Sequence, residues 1–256
     1  MKVVILAGGL GTRLSEETSV RPKPMVEIGG KPILWHIMKI YSSFGFTDFV
    51  ICGGYKNYYI KEYFANYVLH NTTITVDLKN NAIEYHKNEV EPWNITIVDT
   101  GDDTMTGGRI KRIQPYIGDE RFMLTYGDGV GNINLNALLQ SHIDSKKEAT
   151  LTTVQPVGRF GVIDINETGA VNNFNEKPKG DGVWINSGFF VLEPSIFNLL
   201  ENDHTIWEKH PVETLAAKGQ LNAYKHFGFW RPMDTLKDKN DLNELWSANK
   251  AEWKTW

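Results

Sequence analysis

The residues best suited to chemistry form a glycine-rich stretch near the N-terminus, Leu6–Leu14 (LAGGLGTRL). Its three glycines allow backbone N–H groups to approach phosphate oxygens closely. Arg13 lies within it, and Lys23 follows between two prolines that restrict the local backbone. Two cations beside clustered backbone donors suit a triphosphate. The alternative for the glycines alone is a tight turn with solvated cations nearby.

Two familiar phosphate loops do not match this stretch. A Walker A loop requires a Gly-Lys pair that begins five positions after its first glycine, and this chain has Arg13 there. A dinucleotide fingerprint, G-x-G-x-x-G, would begin at Gly9, but its third glycine is replaced by Leu14. A long polar segment also follows, where a helix is expected after such a fingerprint. The pattern therefore favours phosphate chemistry of another kind.

Asp128 is a candidate ligand for Mg²⁺. It follows a buried apolar run within Tyr126–Gly129, and carboxylate oxygens at the carboxyl edge of a sheet suit this hard cation. The alternative is a turn, because Asp-Gly is a common turn pair. Asp234 precedes a predicted helix over 235–246 and suits its N-cap.

An adjacent acid and base, Glu176 and Lys177, stand at a predicted strand end before Pro178. A carboxylate can accept from sugar hydroxyls, and an ammonium can meet a sugar phosphate. The alternative is an exposed charged turn. The segment Thr104–Arg109 indicates a loop and a helix start, where Thr104 suits a helix cap.

The elements that position these residues follow from the hydrophobic pattern. Residues 3–7 and 49–52 are short, continuous apolar runs typical of buried strands. Residues 33–44 have the spacing of an amphipathic helix, and a second helix is predicted to end near Phe64. The further predicted strands are 73–78, 82–86, 94–99, 122–126, 149–155, 161–165, 171–175 and 184–192, and the further helices are 107–117, 135–145, 195–200 and 235–246.

This alternation of strands and helices predicts an α/β protein whose mostly parallel, mixed sheet is covered by helices on both faces, with small β insertions. No repeat or linker-like composition divides the chain, so we predict a single domain over 1–256.

Composition excludes several classes of protein. The chain has 256 residues, 41% hydrophobic and 23% charged, which is ordinary for a globular domain. Its net charge of −4 argues against a large nucleic-acid-binding surface. The single cysteine, Cys52, cannot form an intramolecular disulfide and lies in an apolar run that predicts burial in a strand. No apolar run is long enough to span a membrane, and the N-terminus does not resemble a secretory signal, so we expect a cytoplasmic protein.

The glycine-rich stretch becomes specific when it is combined with the segment Arg21–Met25 (RPKPM). Together they resemble the signature of the sugar nucleotidylyltransferase family. Further segments resemble the branch of that family that forms CDP-glucose from CTP and α-glucose 1-phosphate, and they extend over the whole chain: Glu91–Asn94, Met105–Arg109, Gly158–Val162, Phe174–Pro178, Ile185–Phe190 and Phe229–Thr235.

The resemblance implies a Rossmann-like three-layer α/β/α fold, with a nucleotide-binding half over about 1–130 and a sugar-phosphate-binding half over about 131–256. It implies that Arg13, Lys23 and Asp128 are catalytic and that Asp128 and Asp234 bind Mg²⁺. The implied nucleotide contacts are Leu6, Ala7, Gly8, Gly9, Leu10, Gly11, Thr12, Arg13, Lys23, Thr104, Arg109 and Gly127. The implied sugar-phosphate contacts are Gly161, Glu176, Lys177 and Asn186.

The implied reaction is direct transfer of CMP from CTP to glucose 1-phosphate, with release of pyrophosphate. The resemblance also implies a homo-oligomer whose product feeds dideoxysugar synthesis for bacterial surface polysaccharide. Spacing alone does not define the base, so UTP and dTTP remain alternatives. A sugar-nucleotide-binding protein without activity is a further alternative. An NAD-dependent enzyme is disfavoured by the missing third glycine.

Overall fold

The computed structural model of the chain describes residues 1–86, 90–156, 162–175 and 183–256. Within these residues the strands are β1 (Lys2–Ala7), β2 (Glu27–Ile28), β3 (Lys31–Pro32), β4 (Asp48–Gly53), β5 (Ile74–Asp77), β6 (Ala82–Tyr85), β7 (Asn94–Asp99), β8 (Phe122–Tyr126), β9 (Gly129–Gly131), β10 (Ala149–Val154), β11 (Val162–Ile165), β12 (Val171–Asn175), β13 (Ile185–Leu192), β14 (Leu221–His226) and β15 (Trp230–Pro232). The helices there are α1 (Ser15–Thr18), α2 (Ile33–Ser43), α3 (Asn57–Ala65), α4 (Tyr67–Asn71), α5 (Thr106–Arg112), α6 (Gln114–Ile117), α7 (Leu135–Ser145), α8 (His210–Ala217) and α9 (Leu236–Ser247), with 3₁₀ helices at Thr12–Leu14, Lys23–Met25 and Pro194–Leu199.

A central sheet of seven strands runs in the order β14-β10-β13-β8-β1-β4-β7. Only β13 among these strands is antiparallel to its neighbours, β8 and β10, and the remaining neighbouring pairs are parallel. Four two-stranded ladders accompany this sheet in the described part of the chain. The predicted α/β class, with a mixed, mostly parallel sheet and small β insertions, is therefore confirmed.

Successive residues of β1 face two different hydrophobic cores. Val3 and Ile5 pack in the core that contains α2, and Val4 and Leu6 pack in the core that contains Ile110 of α5. Side chains alternate between the faces of a strand, so helices on both sides of the sheet require a continuous apolar run. This layering explains why residues 3–7 carry no polar side chain. Cys52 lies in the second core and is fully buried, as predicted.

Three predicted segments differ locally from the structure. The short helix predicted over 195–200 is a 3₁₀ helix at Pro194–Leu199. The single helix predicted over 107–117 is two short helices, α5 and α6, which meet at Ile113. Pro115 lies at the start of α6, where its missing N–H is tolerated, whereas within one longer helix its ring would clash with a preceding carbonyl. The long polar segment predicted after the glycines contains a 3₁₀ turn and the one-turn helix α1.

Helix α8 and strand β14 were not predicted from the sequence. β14 pairs in parallel with β10 at one edge of the central sheet. Its sequence LNAYKH is mixed and polar because an edge strand is only partly covered. Such a strand lacks the continuous apolar run that identifies β1 and β4.

No helix in the described ranges is both long and apolar enough to cross a bilayer.

The C-terminal segment encloses a buried histidine. His36 of α2 is fully buried, and its Nε2 donates to the carbonyl oxygen of Ile28 at 2.8 Å. Trp253 Nε1 donates to His36 Nδ1 at 3.4 Å, and the ring of Trp246 lies edge-on at 4.8 Å between centroids. Burial lowers the pKa of His36 from 6.5 to about 4, although its backbone hydrogen bonds oppose this shift. The neutral imidazole is therefore the form that the fold stabilises.

This histidine should make the protein less stable in mild acid. Above pH 6.5 His36 is neutral in both states, whereas between pH 6.5 and about 4 only the unfolded chain binds the proton. The free energy of unfolding should therefore fall by about 2 kcal/mol more in the wild type than in His36→Gln between pH 6.5 and 4.5. Urea denaturation at several pH values measures this difference. Equal pH dependence in the two proteins would contradict it.

Candidate active site

A cleft of about 360 Å³ opens at the carboxyl ends of β1 and β8, the edge of a parallel sheet where α/β proteins bind ligands. It brings together most of the predicted nucleotide and catalytic residues. Leu10 lies outside this lining and is 55% exposed. The cleft is lined by Leu6, Ala7, Gly8, Gly9, Gly11, Thr12, Arg13, Lys23, Pro24, Thr104, Met105, Thr106, Arg109, Tyr126, Gly127 and Asp128.

The glycine-rich loop is closed by its own backbone and by Thr18. Gly11 adopts a left-handed conformation with φ of +66°, which a residue with a side chain rarely adopts. Its carbonyl oxygen accepts from Leu14 N at 2.9 Å and from Thr18 Oγ1 at 3.1 Å. A Cβ at Gly11 would also lie 2.7 Å from a methyl carbon of Thr18. Glycine is therefore needed at this turn for both conformation and space.

The two predicted catalytic cations contact the two predicted metal ligands. Lys23 Nζ lies 2.5 Å from Asp128 Oδ2 and 2.8 Å from Asp234 Oδ1. Arg13 contacts Asp234 through its two terminal guanidinium nitrogens, Nη1 and Nη2, each at 2.9 Å. Lys23 is 8% exposed, whereas the Arg13 side chain is 70% exposed. Two positive and two negative groups thus form a compact cluster, and three of its members, Arg13, Lys23 and Asp128, line the cleft.

A small antiparallel ladder explains how these distant aspartates meet. β9 directly follows Asp128, β15 shortly precedes Asp234, and the two strands pair with Pro232 opposite Gly129. Met233 N also donates to the carbonyl oxygen of Asp128 at 2.8 Å. The ladder therefore places the two carboxylates side by side, although 105 residues separate them in the sequence.

Asp234 does not cap the following helix, which was the alternative to metal binding at this position. Thr235 is the N-cap residue of α9, and its hydroxyl accepts from the backbone N–H of Asp238 at 3.2 Å. Asp238 Oδ2 accepts in return from Thr235 N at 2.9 Å, which completes a capping box. The carboxylate of Asp234 is therefore available to Lys23 and Arg13.

Arg109 lies against the back of the glycine-rich loop with 4% of its surface exposed. Desolvation lowers the pKa of its guanidinium. A Cβ at Gly8 would lie 2.1 Å from its Nη1 atom, so glycine leaves room for the cation. Arg109 therefore fixes the position of the glycine-rich loop. Direct contact of Arg109 with a nucleotide stays a prediction. The acceptors of its hydrogen bonds are the carbonyl oxygens of Gly8 (3.0 Å), Gly53 (3.3 Å), Gly101 (2.7 Å) and Asp102 (3.1 Å) and the hydroxyl of Thr100 (2.7 Å).

A loop of residues 201–209 holds the start of α5, and the sequence did not predict this role. Met105 N donates to the carbonyl oxygen of Asp203 at 2.8 Å, and Gly108 N donates to that of Thr205 at 3.2 Å. A Cβ at Gly108 would lie 2.6 Å from the Asp203 oxygen. The Gly107-Gly108 pair within a predicted helix was the one signal of this close approach. The N-cap position of α5 is Met105, so Thr104 does not cap this helix, which was the alternative to its contact with a nucleotide.

Comparison with known proteins places the chain in a family. The family model described as Nucleotidyl transferase matches residues 2–251. The chain belongs to the nucleotidyl transferase family. It is 60% identical to the glucose-1-phosphate cytidylyltransferase of Salmonella typhi, and the match covers 100% of both chains. It is 29% identical to the mannose-1-phosphate guanyltransferase of Hypocrea jecorina, a match that covers 93% of this chain and 62% of that one.

A solved structure shares the fold of this chain. The crystal structure of HddC from Yersinia pseudotuberculosis superimposes with a TM-score of 0.69 at 25% identity, covering 96% of this chain and 99% of that chain. This nucleotidyl transferase therefore has a fold that is shared along almost its whole length.

The predicted metal ligands of this nucleotidyl transferase fit a cation that also binds phosphate. In the described part of the chain, no group of three or more His, Cys, Asp or Glu side chains could hold a metal by itself. Mg²⁺ is usually bound by one or two carboxylates together with substrate phosphates. Asp128 and Asp234 already converge on a single cation, the Lys23 ammonium. This donor set suits Mg²⁺ accompanying a nucleotide.

The residues predicted to contact the sugar phosphate are only partly described. Gly161, Glu176 and Lys177 lie outside the described residues. Asn186 lies at the start of β13, where its Oδ1 accepts from Gly188 N at 2.9 Å and its Nδ2 donates to Tyr126 Oη at 3.3 Å. Tyr126 also lines the cleft. Asn186 is thereby linked to a residue that lines the cleft of this nucleotidyl transferase.

Proposed function

We propose that this protein transfers CMP from CTP to α-D-glucose 1-phosphate and forms CDP-glucose and pyrophosphate. The cluster of Lys23, Arg13 and the two aspartates beside the glycine-rich loop carries the proposal that nucleotidyl transfer occurs here. The choice of CTP and glucose 1-phosphate is supported by the full-length similarity to the Salmonella typhi cytidylyltransferase. The guanyltransferase is much less similar, which disfavours GTP and mannose 1-phosphate.

The proposed chemistry is a direct in-line displacement. A phosphate oxygen of glucose 1-phosphate attacks the α-phosphorus of CTP, and the bond from that phosphorus to the bridging oxygen of pyrophosphate breaks. The attacking oxygen is already ionised, so no general base is needed. Catalysis then consists of positioning the reactants and stabilising charge that develops in the transition state.

Lys23 and Arg13 are proposed to exchange partners when the nucleotide binds. Both cations contact carboxylates in the structure, and both line the cleft. Triphosphate oxygens would offer them a higher negative charge than the aspartates do. We propose that Lys23 then stabilises charge on the α-phosphoryl group and that Arg13 contacts the departing β- and γ-phosphates.

The same exchange would free Asp128 and Asp234 to hold Mg²⁺. When bound, this ion neutralises negative charge on the phosphates. The two carboxylates are fixed to each other by the β9–β15 ladder, so they would hold their positions as the cations leave. Gly127 N donates to the Leu6 carbonyl oxygen at 2.9 Å, which holds this residue against the end of β1. Since glycine has no side chain, Gly127 would allow the nucleotide to approach the sheet there.

Covalent catalysis by the only cysteine is disfavoured. Cys52 is fully buried on β4, and burial raises the pKa of its thiol to about 12. A thiol in that state is protonated at neutral pH and is a poor nucleophile. The proposal therefore has no covalent enzyme intermediate.

A panel of nucleotides with glucose 1-phosphate and Mg²⁺ tests this function. Pyrophosphate release should be at least about tenfold faster with CTP than with UTP, dTTP, ATP or GTP. Omission of the sugar phosphate is the control. A faster rate with another nucleotide would change the assigned base. Tight CDP-glucose binding without pyrophosphate release from any nucleotide would indicate a binding protein instead.

The proposal also covers the binding of the sugar phosphate, the oligomeric state and the use of the product. Glu176 and Lys177 are proposed to bind the sugar and its phosphate, Gly161 to allow close approach of the sugar, and Asn186 to add an amide contact. We also propose a cytoplasmic homo-oligomer whose product supplies dideoxysugar synthesis. Light scattering of the purified protein would test the oligomeric state.

A further inference from the structure

Glu208, in the 201–209 loop, accepts hydrogen bonds from two sides of the cleft. Its Oε1 accepts from Tyr126 Oη at 2.7 Å, and its Oε2 accepts from Thr106 Oγ1 at 2.7 Å. Tyr126 ends β8 two residues before Asp128, and Thr106 begins α5 two residues after Thr104. Both hydroxyl residues line the cleft. One carboxylate thus joins two walls of the cleft.

The position of Glu208 is fixed by its neighbour. Trp207 is fully buried, and its ring packs edge-on against Phe190 at 5.9 Å between centroids. Trp207 N also donates to Thr106 Oγ1 at 2.9 Å. The Thr106 hydroxyl therefore accepts one hydrogen bond and donates another. This leaves Glu208 little freedom to choose other partners.

The chain of hydrogen bonds continues to Asn186. Tyr126 Oη donates to Glu208 and accepts from Asn186 Nδ2 at 3.3 Å. Gly188 N donates to Oδ1 of the same Asn186 amide at 2.9 Å. The Tyr126 hydroxyl is the donor in its hydrogen bond to Glu208, because a carboxylate oxygen only accepts. The orientation of the Asn186 amide thus depends on Tyr126.

Close packing prevents this chain from shifting. Gly188 has φ of +79°, and a Cβ there would lie 2.9 Å from Cδ2 of Tyr126. The Tyr126 ring also packs edge-on against Phe190, the residue that contacts Trp207. A movement of the 201–209 loop would therefore disturb Tyr126 and the start of α5 together.

We infer that Glu208 is a positioning residue that couples the nucleotide side of the cleft to the sugar-phosphate side. One branch runs through Thr106 to the segment Thr104–Arg109, and the other runs through Tyr126 to Asn186. In this role Glu208 acts on the substrates through Thr106 and Tyr126, the residues to which its two oxygens are bonded. The inference rests on the proposed function, because it assigns the two substrates to the two ends of the chain.

Three variants separate the branches. Glu208→Gln removes one acceptor oxygen, because an amide nitrogen only donates, and it should raise the KM for glucose 1-phosphate about tenfold and that for CTP about threefold. Tyr126→Phe cuts the sugar branch and should raise the KM for glucose 1-phosphate about tenfold while the KM for CTP stays within about twofold. Thr106→Val cuts the nucleotide branch and should raise only the KM for CTP, again about threefold.

The double variant Glu208→Gln/Tyr126→Phe tests whether the residues act in one chain. Its KM for glucose 1-phosphate should match that of the single variants, about tenfold above wild type, instead of multiplying to about a hundredfold. The value of kcat should stay within about threefold throughout, whereas a merely structural defect would lower kcat and thermal stability. Glu201→Gln, an exposed side chain of the same loop, is the matched control and should change neither KM.

The inference would be overturned if Glu208→Gln left both KM values unchanged, or if the effects of the two substitutions multiplied. Failure of the proposed function is a separate result, since it appears in the wild type as no pyrophosphate release from CTP and glucose 1-phosphate. If the wild type prefers another nucleotide, the same KM comparison is made with that nucleotide and still decides the inference.

Discussion

Replacement of Lys23 by methionine should reduce pyrophosphate release from CTP and glucose 1-phosphate by about 10²–10³-fold, the usual cost of removing one preorganised charge from a transition state. Lys23 is the group that both aspartates contact, and it lies in the cleft with only 8% of its surface exposed. A charge held there faces a low-dielectric environment, so it acts more strongly on a phosphoryl group than an exposed lysine would.

Methionine keeps the unbranched apolar stem of Lys23 and tests its charge, not its volume. The fold should survive, because the segment around Lys23 is held by Pro22, Pro24 and the hydrogen bond from Val26 N to the Lys23 carbonyl oxygen at 3.0 Å. Circular dichroism and thermal unfolding would verify this. Lys250→Met, at an exposed position near the C-terminus, is the control and should retain wild-type turnover. Turnover of Lys23→Met within about fivefold of wild type would refute the catalytic assignment.

The central strands could be predicted from the sequence because both their faces are buried. β1, β4 and β8 are short apolar runs, and each ends where the chain turns into glycine or a polar residue of the cleft. The helix α2 was equally clear from its spacing of apolar residues. Since the carboxyl edge of such a sheet is defined by where these strands end, the positions of the glycine-rich loop and Asp128 followed directly.

The contacts that complete the site could not be predicted in this way. β9 and β15 are three residues long and have no periodic pattern, yet their pairing brings Asp234 to Asp128. The 201–209 loop has no apolar periodicity either. This loop fits against α5 only because Gly107 and Gly108 have no side chains. The two glycines are visible in the sequence, but the segment that packs against them is not. Tertiary contacts of this kind are specified by surfaces that meet only in the folded chain.

Asp234 shows how residue type alone leaves two roles open. Aspartate and threonine both suit an N-cap, and positions 234 and 235 offer one of each. The structure assigns the cap to Thr235, because its partner in the capping box, Asp238, lies three residues later. Asp234 is then one residue too early to cap and can face the cluster. A shift of one residue therefore decides between a structural and a chemical role.

This division of roles predicts opposite effects for two adjacent substitutions. Asp234→Ala should lower turnover by about 10²–10³-fold and raise the Mg²⁺ concentration needed for half-maximal activity, while the free energy of unfolding changes little. Thr235→Ala should cost about 1 kcal/mol of stability, the usual loss for an N-cap, and keep most of the turnover. Urea denaturation measures the change in stability, and pyrophosphate release measures turnover. Calorimetric titration of Mg²⁺ into the protein in the presence of CTP measures the change in metal binding. If Asp234→Ala lost stability but kept its rate, the carboxylate would belong to the helix and not to the site.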